Sequence, residues 1–86
     1  MSQDDAMARA AAVQAKYTDE LMRKKNVVGV AVGMVQEDNQ PSNEVGLVVL
    51  VNKKEPWEQL APEDRVPRQL DGVRVDVQEI GEIRAF

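Results

Sequence analysis

The chain reads as an α+β fold in which a long N-terminal helix packs on a small mixed sheet of three to four strands, in the order α-β-β-short helix-β. Three observations predict it. Apolar residues recur at helical spacing in residues 4–25, and two Val-rich runs follow, Val27–Val35 and Val45–Val51. A last run, from Val73 to Ile80, opens with alternating apolar and polar residues. The whole chain of 86 residues is expected to be one domain, with 1–4 and 84–86 as frayed ends. A chain of this mass buries roughly 60–65% of its unfolded surface, enough for one modest core.

Ala6, Ala10, Val13, Tyr17 and Leu21 line one face of a 3.6-period helix. Asp4 or Asp5 is the expected cap, Arg23, Lys24 and Lys25 sit in the last turn, and Asn26 fits the position just past the end. In the first strand Val28, Val30, Val32 and Met34 make a bulky face, while Gly29, Ala31 and Gly33 make one with almost no side chains. A strand apolar on both faces is expected at the centre of its sheet. The small face predicts close packing of the long helix. Gln36–Glu44 is polar, contains Pro41 and reads as a hairpin loop joining the first two strands antiparallel.

The connector from Pro56 to Leu70 also carries Pro62 and Pro67. Single helical turns are expected after Pro56, over Trp57–Leu60, and at Pro67–Leu70. Asp71-Gly72 is a turn signal. Gly81 permits a bend, and Glu82–Phe86 is a tail that would continue the sheet. A right-handed crossover predicts the third strand parallel to the second, on the far side of the first, giving the order 2-1-3.

Composition excludes much chemistry. The chain has no Cys and no His, which removes disulfides, Cys-based zinc sites, imidazole bases and Ser–His or Cys–His nucleophiles. The Ser and Thr residues, Ser2, Thr18 and Ser42, sit in no motif. Eleven basic against fifteen acidic residues give a net charge of −4, unsuited to nucleic acid. The basic clusters Arg23-Lys24-Lys25 and Lys53-Lys54 read as solvated element ends or strand-edge guards. The acidic N-terminus lacks the apolar core of a signal peptide, and no apolar run reaches the roughly 20 residues of a membrane helix. A cytoplasmic protein that binds no membrane is the expectation.

Individual motifs favour plain structural roles. Gly29-Val30-Ala31-Val32-Gly33 lies inside a strand, with no following helix or Lys-Ser/Thr, so it is not a phosphate loop. Glu37, Asp38, Asn39 and Asn43 offer oxygen ligands without the spacing of a calcium loop and read as a solvated tip. Arg74 and Asp76 on the wet face of the last strand read as a surface ion pair. Glu63-Asp64-Arg65 is ionisable but has nothing local to move its pKa values. Trp57 and Leu60 are expected to plug the open end of the sheet or to make a subunit contact. Met7, Met22 and Met34 suit gap filling. No catalytic residue, metal ligand or cofactor site emerges.

Asn26–Gly33, the Val-rich strand ending in Lys53-Lys54, Arg65–Val73 and Val75–Ala85 together resemble a family of small bacterial proteins. In that family a helix precedes a VVGVGVG strand, followed by a Val-rich strand with a Lys pair and a Leu-Asp-Gly-Val turn. The match covers roughly residues 15–86, and the departures are Ala31 for the usual Gly and Arg74 for the usual Pro. The resemblance implies a module found alone or ahead of trypsin-like serine-protease domains. It implies no proteolysis here, since the chain has no His.

Three functions compete. The first is a non-enzymatic accessory or interaction module, a homo-oligomer or the binder of a protein partner. It rests on one helix covering only one face of a sheet whose first two strands are apolar on both. Val48, Leu50, Trp57, Leu60 and Phe86 are its candidate contacts, with Gly29, Gly33, Gly72 and Gly81 as structural glycines. The second is a propeptide-like inhibitor or folding assistant of a trypsin-like protease, using Glu82–Phe86 as an inserting strand. An enzyme using Glu, Asp and Arg is the weakest.

Overall fold

A computed structural model describes residues 3–37 and 40–80. Helix α1 spans Gln3–Met22, β1 Val27–Glu37, β2 Gln40–Val51, β3 Gln69–Leu70 and β4 Val73–Glu79. Single 3₁₀ turns at Trp57–Gln59 and Pro62–Asp64 interrupt the connector. The α+β class and the mixed sheet are as expected. The helix starts at Gln3, so Asp4 and Asp5 lie inside its first turn and do not cap it.

Local signals act where they stand. Past Met22 the chain tightens through bonds from the amides of Arg23 and Lys24 to the carbonyls of Glu20 and Leu21. Asn26 then reverses direction at φ 70°, a left-handed conformation that Asn tolerates better than most residues. Asp71 and Gly72 have φ of 50° and 82°, the signs that a two-residue hairpin turn requires. They join β3 to β4, with Gln69 opposite Arg74 and Leu70 opposite Val73. The second helical turn expected at Pro67–Leu70 forms instead at Pro62–Asp64, because Gln69 and Leu70 are drawn into this hairpin.

The strand order is β1-β2-β4-β3, not 2-1-3. β2 pairs antiparallel with β1 and parallel with β4, so β2 is central and β1 is an edge strand. The crossover direction fits; its landing place does not. β4 takes the open edge of β2, where Leu47, Val49 and Val51 meet Val75, Val77 and Glu79. The expected hairpin loop is largely strand: β1 runs to Glu37 and β2 starts at Gln40, leaving Asp38 and Asn39 outside the described residues.

Leu47, Val49 and Val51 turn to the helix and, with Ala10, Val13, Leu21, Val27, Val66 and Val73, make the core. Val30 and Val32 join it from β1. The glycine face therefore points away from the helix, because alternate residues of a strand face opposite ways. The space over Gly33 and Gly29 is taken by Val48 and Leu50, whose side-chain carbons would lie 3.6 and 3.5 Å from an added Cβ. A bulge between Val27 and Gly29 sends Val27 into the core and leaves Val28 outside. Met7, Met22 and Met34 are exposed and fill no gap.

The tightest approach in the sheet is at Gly46. A Cβ there would stand 2.4 Å from the Arg74 carbonyl oxygen and 2.7 Å from Val35 Cγ1. Val35, fully buried, folds over Gly46 on the face opposite the helix. The curl is fastened from β4: the Asp76 carboxylate accepts the Gln36 amide at 3.0 Å, and Arg74 pairs with Glu44 at 3.6 Å. Arg74 and Asp76 thus hold the hairpin down, a role beyond the simple surface ion pair expected of them. Since the clash is partly with backbone, Gly46→Ala should cost about 3 kcal/mol, the upper end of overpacking. Gly33→Ala should stay within about 1 kcal/mol. Urea midpoints of the two variants would check the contrast.

Candidate functional site

Two stretches of sheet edge are unpaired among the described residues, and they differ in chemistry. On β1, Gln14 Nε2 donates to the Val30 carbonyl at 2.9 Å, which shows that Val30 points its backbone away from β2. Alternate residues share that direction, so Val32 and Met34 also present N–H and C=O groups outward. No charged side chain interrupts β1 from Val27 to Val35.

From Met7 to Met22 the helix flank beside this edge is also uncharged. On a 3.6-period helix Met7, Ala11, Thr18 and Met22 fall on the same side as Gln14, with Ala8 and Ala15 next to them. Met7 and Met22 are 48% and 43% exposed, and the three alanines are exposed too. Val28 and Met34 on β1 continue the strip at 45% and 43% exposure. At 20 residues the helix is about 30 Å long, close to the length of Val27–Val35 as a strand. Helix flank and strand edge form one uncharged strip, mostly apolar, with Gln14 and Thr18 as its polar side chains.

Arg9, Lys16 and Glu20 occupy the opposite flank of α1. There Lys16 Nζ and the Tyr17 hydroxyl both donate to the Asp71 carboxylate, each at 3.1 Å. These bonds, that from Lys16 foremost, hold the Asp71 carboxyl below its usual range; the same bond and the charge of Asp71 raise Lys16.

The second open stretch is on β4. The Val75 amide donates outward to the Arg68 carbonyl at 2.9 Å, and the Ile80 amide inward to the Val51 carbonyl at 2.9 Å. By the same alternation Val77 and Glu79 point outward. The connector pairs with β4 only through Arg68–Leu70 and then leaves it. Between them lies a groove of about 760 Å³, walled by Trp57, Leu60 and Val66 on one side and Val75 and Val77 on the other. The connector is tied to the helix end: Lys24 Nζ donates to the Glu63 carbonyl at 2.8 Å, the Lys25 amide to Asp64 at 3.1 Å, and Asn26 Nδ2 to Glu55 at 3.0 Å. Arg65 donates to the Trp57 carbonyl at 3.0 Å and lies 5.4 Å from its ring.

Trp57 and Leu60 thus come together in the groove, but Trp57 is too exposed to be a plug. Val48 and Leu50 do not join them; they lie on the face away from the helix and fill the space over the small residues. Phe86, Gly81 and the tail Glu82–Phe86 lie outside the described residues. Sequence reasoning missed the Met and Ala flank, although the apolar positions off the core face were visible in the helix pattern. It also missed Gly46, which stands in a Val-rich run like any other residue.

Among the described residues no group of three or more His, Cys, Asp or Glu could hold a metal ion. None of the described helices is long and apolar enough to cross a membrane. Compared with protein-family models and with curated proteins, the chain matches none.

The Asp71 tie gives a pH test. Its folded pKa lies below the unfolded one, so its contribution is present above the unfolded value, near 3.8, and is lost as pH falls through the folded one. Asp71→Asn, which keeps a residue tolerant of positive φ, should lower stability at pH 7, with a much smaller difference near pH 2. Denaturant titrations of both proteins at the two pH values would check this, and a gap that persisted undiminished in acid would contradict it.

Proposed function

We propose that this chain is a non-enzymatic interaction module that self-associates through its β1 side. The observation that carries the reading is the union of an outward-facing strand edge with a helix flank that carries no charge from Met7 to Met22 and exposes methionines and alanines. A second copy matches it. With a two-fold axis at Val32, Val30 of one copy faces Met34 of the other antiparallel; the paired Val32 residues exchange both their bonds, and Gln14 must release the Val30 carbonyl for the Met34 amide to reach it. Both helices then lie on the same face of one continuous sheet, antiparallel, with the alanines permitting close approach. The resemblance to a module that precedes protease domains agrees with an accessory role and adds nothing about its partner.

The energetics favour a weak, concentration-dependent dimer. Met7, Met22, Val28 and Met34 are roughly half exposed, so each has about 1 kcal/mol left to gain from full burial. Two copies double that sum, and the strand bonds add about 1 kcal/mol each. Association costs about 4–15 kcal/mol against it. Sedimentation equilibrium should show a reversible dimer. The double variant Ala11→Glu, Ala15→Glu brings like charges together across the axis, which costs several kcal/mol. It should weaken the dimer about 100-fold while its circular dichroism stays native. A chain that remains strictly monomeric at millimolar concentration would rule the reading out.

A further inference from the structure

We propose that the groove along the outer edge of β4 binds an extended, acidic peptide segment of a partner protein as an added strand. The edge beside the groove has the directional groups that a strand needs: Val77 in its lining, and Glu79 just past its end, present N–H and C=O beyond the point where the connector peels away. It has a floor for side chains, since Trp57, Leu60, Val66 and Val77 line it. In a strand every second side chain points down, so these residues receive alternate apolar positions of the peptide.

Charge selects the peptide. The walls carry Lys25, Lys53, Lys54, Arg68 and Arg74 against Glu55, Asp64 and Asp76, a positive balance in a chain of net charge −4. The acids are engaged: Glu55 with Lys25 at 3.4 Å, Asp64 with the Lys25 amide, Asp76 with Gln36 and Gln78. Glu79, at the end of the edge, accepts the Lys54 amide at 2.8 Å. Lys25 and Arg74 have carboxylate partners. Among the described residues Lys53, Lys54 and Arg68 have no carboxylate within ion-pair distance. Three cations at the rim of an unpaired strand edge repel a basic strand, offer a neutral one no compensation for their lost water, and admit an acidic one through charge-assisted hydrogen bonds. The self-associating surface is on the other edge of the sheet, so the two sites are separate.

The single Trp57, 45% exposed on the groove wall, is the reporter. The full-length protein is titrated with a labelled heptapeptide of alternating glutamate and valine, following Trp57 emission and fluorescence polarisation. Its lysine–valine counterpart and a version N-methylated at alternate amides serve as comparisons. The acidic peptide should shift Trp57 emission and bind at least about tenfold more tightly than either comparison. Lys53→Glu with Lys54→Glu, or independently Arg68→Gln, should weaken it by about tenfold. The Ala11→Glu, Ala15→Glu variant should bind unchanged, which separates this site from self-association. Equal binding of the lysine peptide, indifference to N-methylation, or a silent Trp57 would overturn the proposal. So would tighter binding of a free hexapeptide of residues 81–86, which would give the groove to the chain's own end.

Discussion

Parallel strands cannot be joined by a tight turn, so the ladder between Leu47–Val51 and Val75–Glu79 obliges the chain to leave the sheet at Asn52 and return from a distance. The remaining architecture depends on that obligation. The connector must span the sheet end, and it does so with 3₁₀ turns and prolines, anchored to the helix terminus by Lys24, Lys25 and Asn26. It re-enters through the Asp71-Gly72 hairpin, which is too short to pair with more than the start of β4. The groove is the space between a strand that runs straight and a connector that cannot follow it. With β2 committed on both sides, β1 is left at the edge.

A single helix can bury only one face of such a sheet, and the face away from it needs another solution. Here the sequence makes that face small and then fills it from within. Ala31, Gly33 and Gly29 leave room that Val48 and Leu50 occupy, and the far end of the hairpin folds Val35 onto Gly46. Asp76 and Arg74 hold this curl from β4. Val35, Gly46 and Val48 are buried on that face without the helix, and Leu50 is half-buried. The unsatisfied surface is therefore displaced from the faces of the sheet to its rims, where backbone direction as well as apolar area decides what can bind.

The elements with local causes were legible in the sequence. The helical period, the Asn26 reversal, the Val-rich runs and the Asp71-Gly72 turn each depend on neighbours a few residues away. Strand order was not, because apolar character on both sides of Val27–Val35 looks the same whether the small side faces a helix or the next strand's valines. The central position went to the wrong strand for that reason. The polar stretch Gln36–Glu44 read as a loop because polarity reports exposure, and the outer end of a long hairpin is exposed strand. Gly46 was invisible, since its constraint comes from Arg74 and Val35, distant in sequence. As for the surfaces, Trp57 and Leu60 read as a plug for the open end of the sheet or a subunit contact, and Trp57 stands exposed on the groove wall, while Met7 and Met22 of the helix flank read as gap fillers and are exposed. The meaning of that flank depends on β1 being an edge.

The two rims also bear on each other. An exposed β1 edge and an open β4 edge on one small chain invite head-to-tail pairing between copies, which does not close and grows into filaments. The molecule opposes this by making the rims unlike. β1 is neutral and flanked by alanines and methionines, so it is complementary to itself under a two-fold axis. β4 is recessed behind the connector and ringed by Lys53, Lys54 and Arg68, so an apolar β1 edge would have to strip water from those cations without supplying a carboxylate to any of them. That cost falls on the filament and not on the β1–β1 dimer. In the proposed assembly the Lys pair that ends β2 would do more than terminate a strand: it would keep self-association closed and leave the recessed edge to a chain that brings its own negative charge.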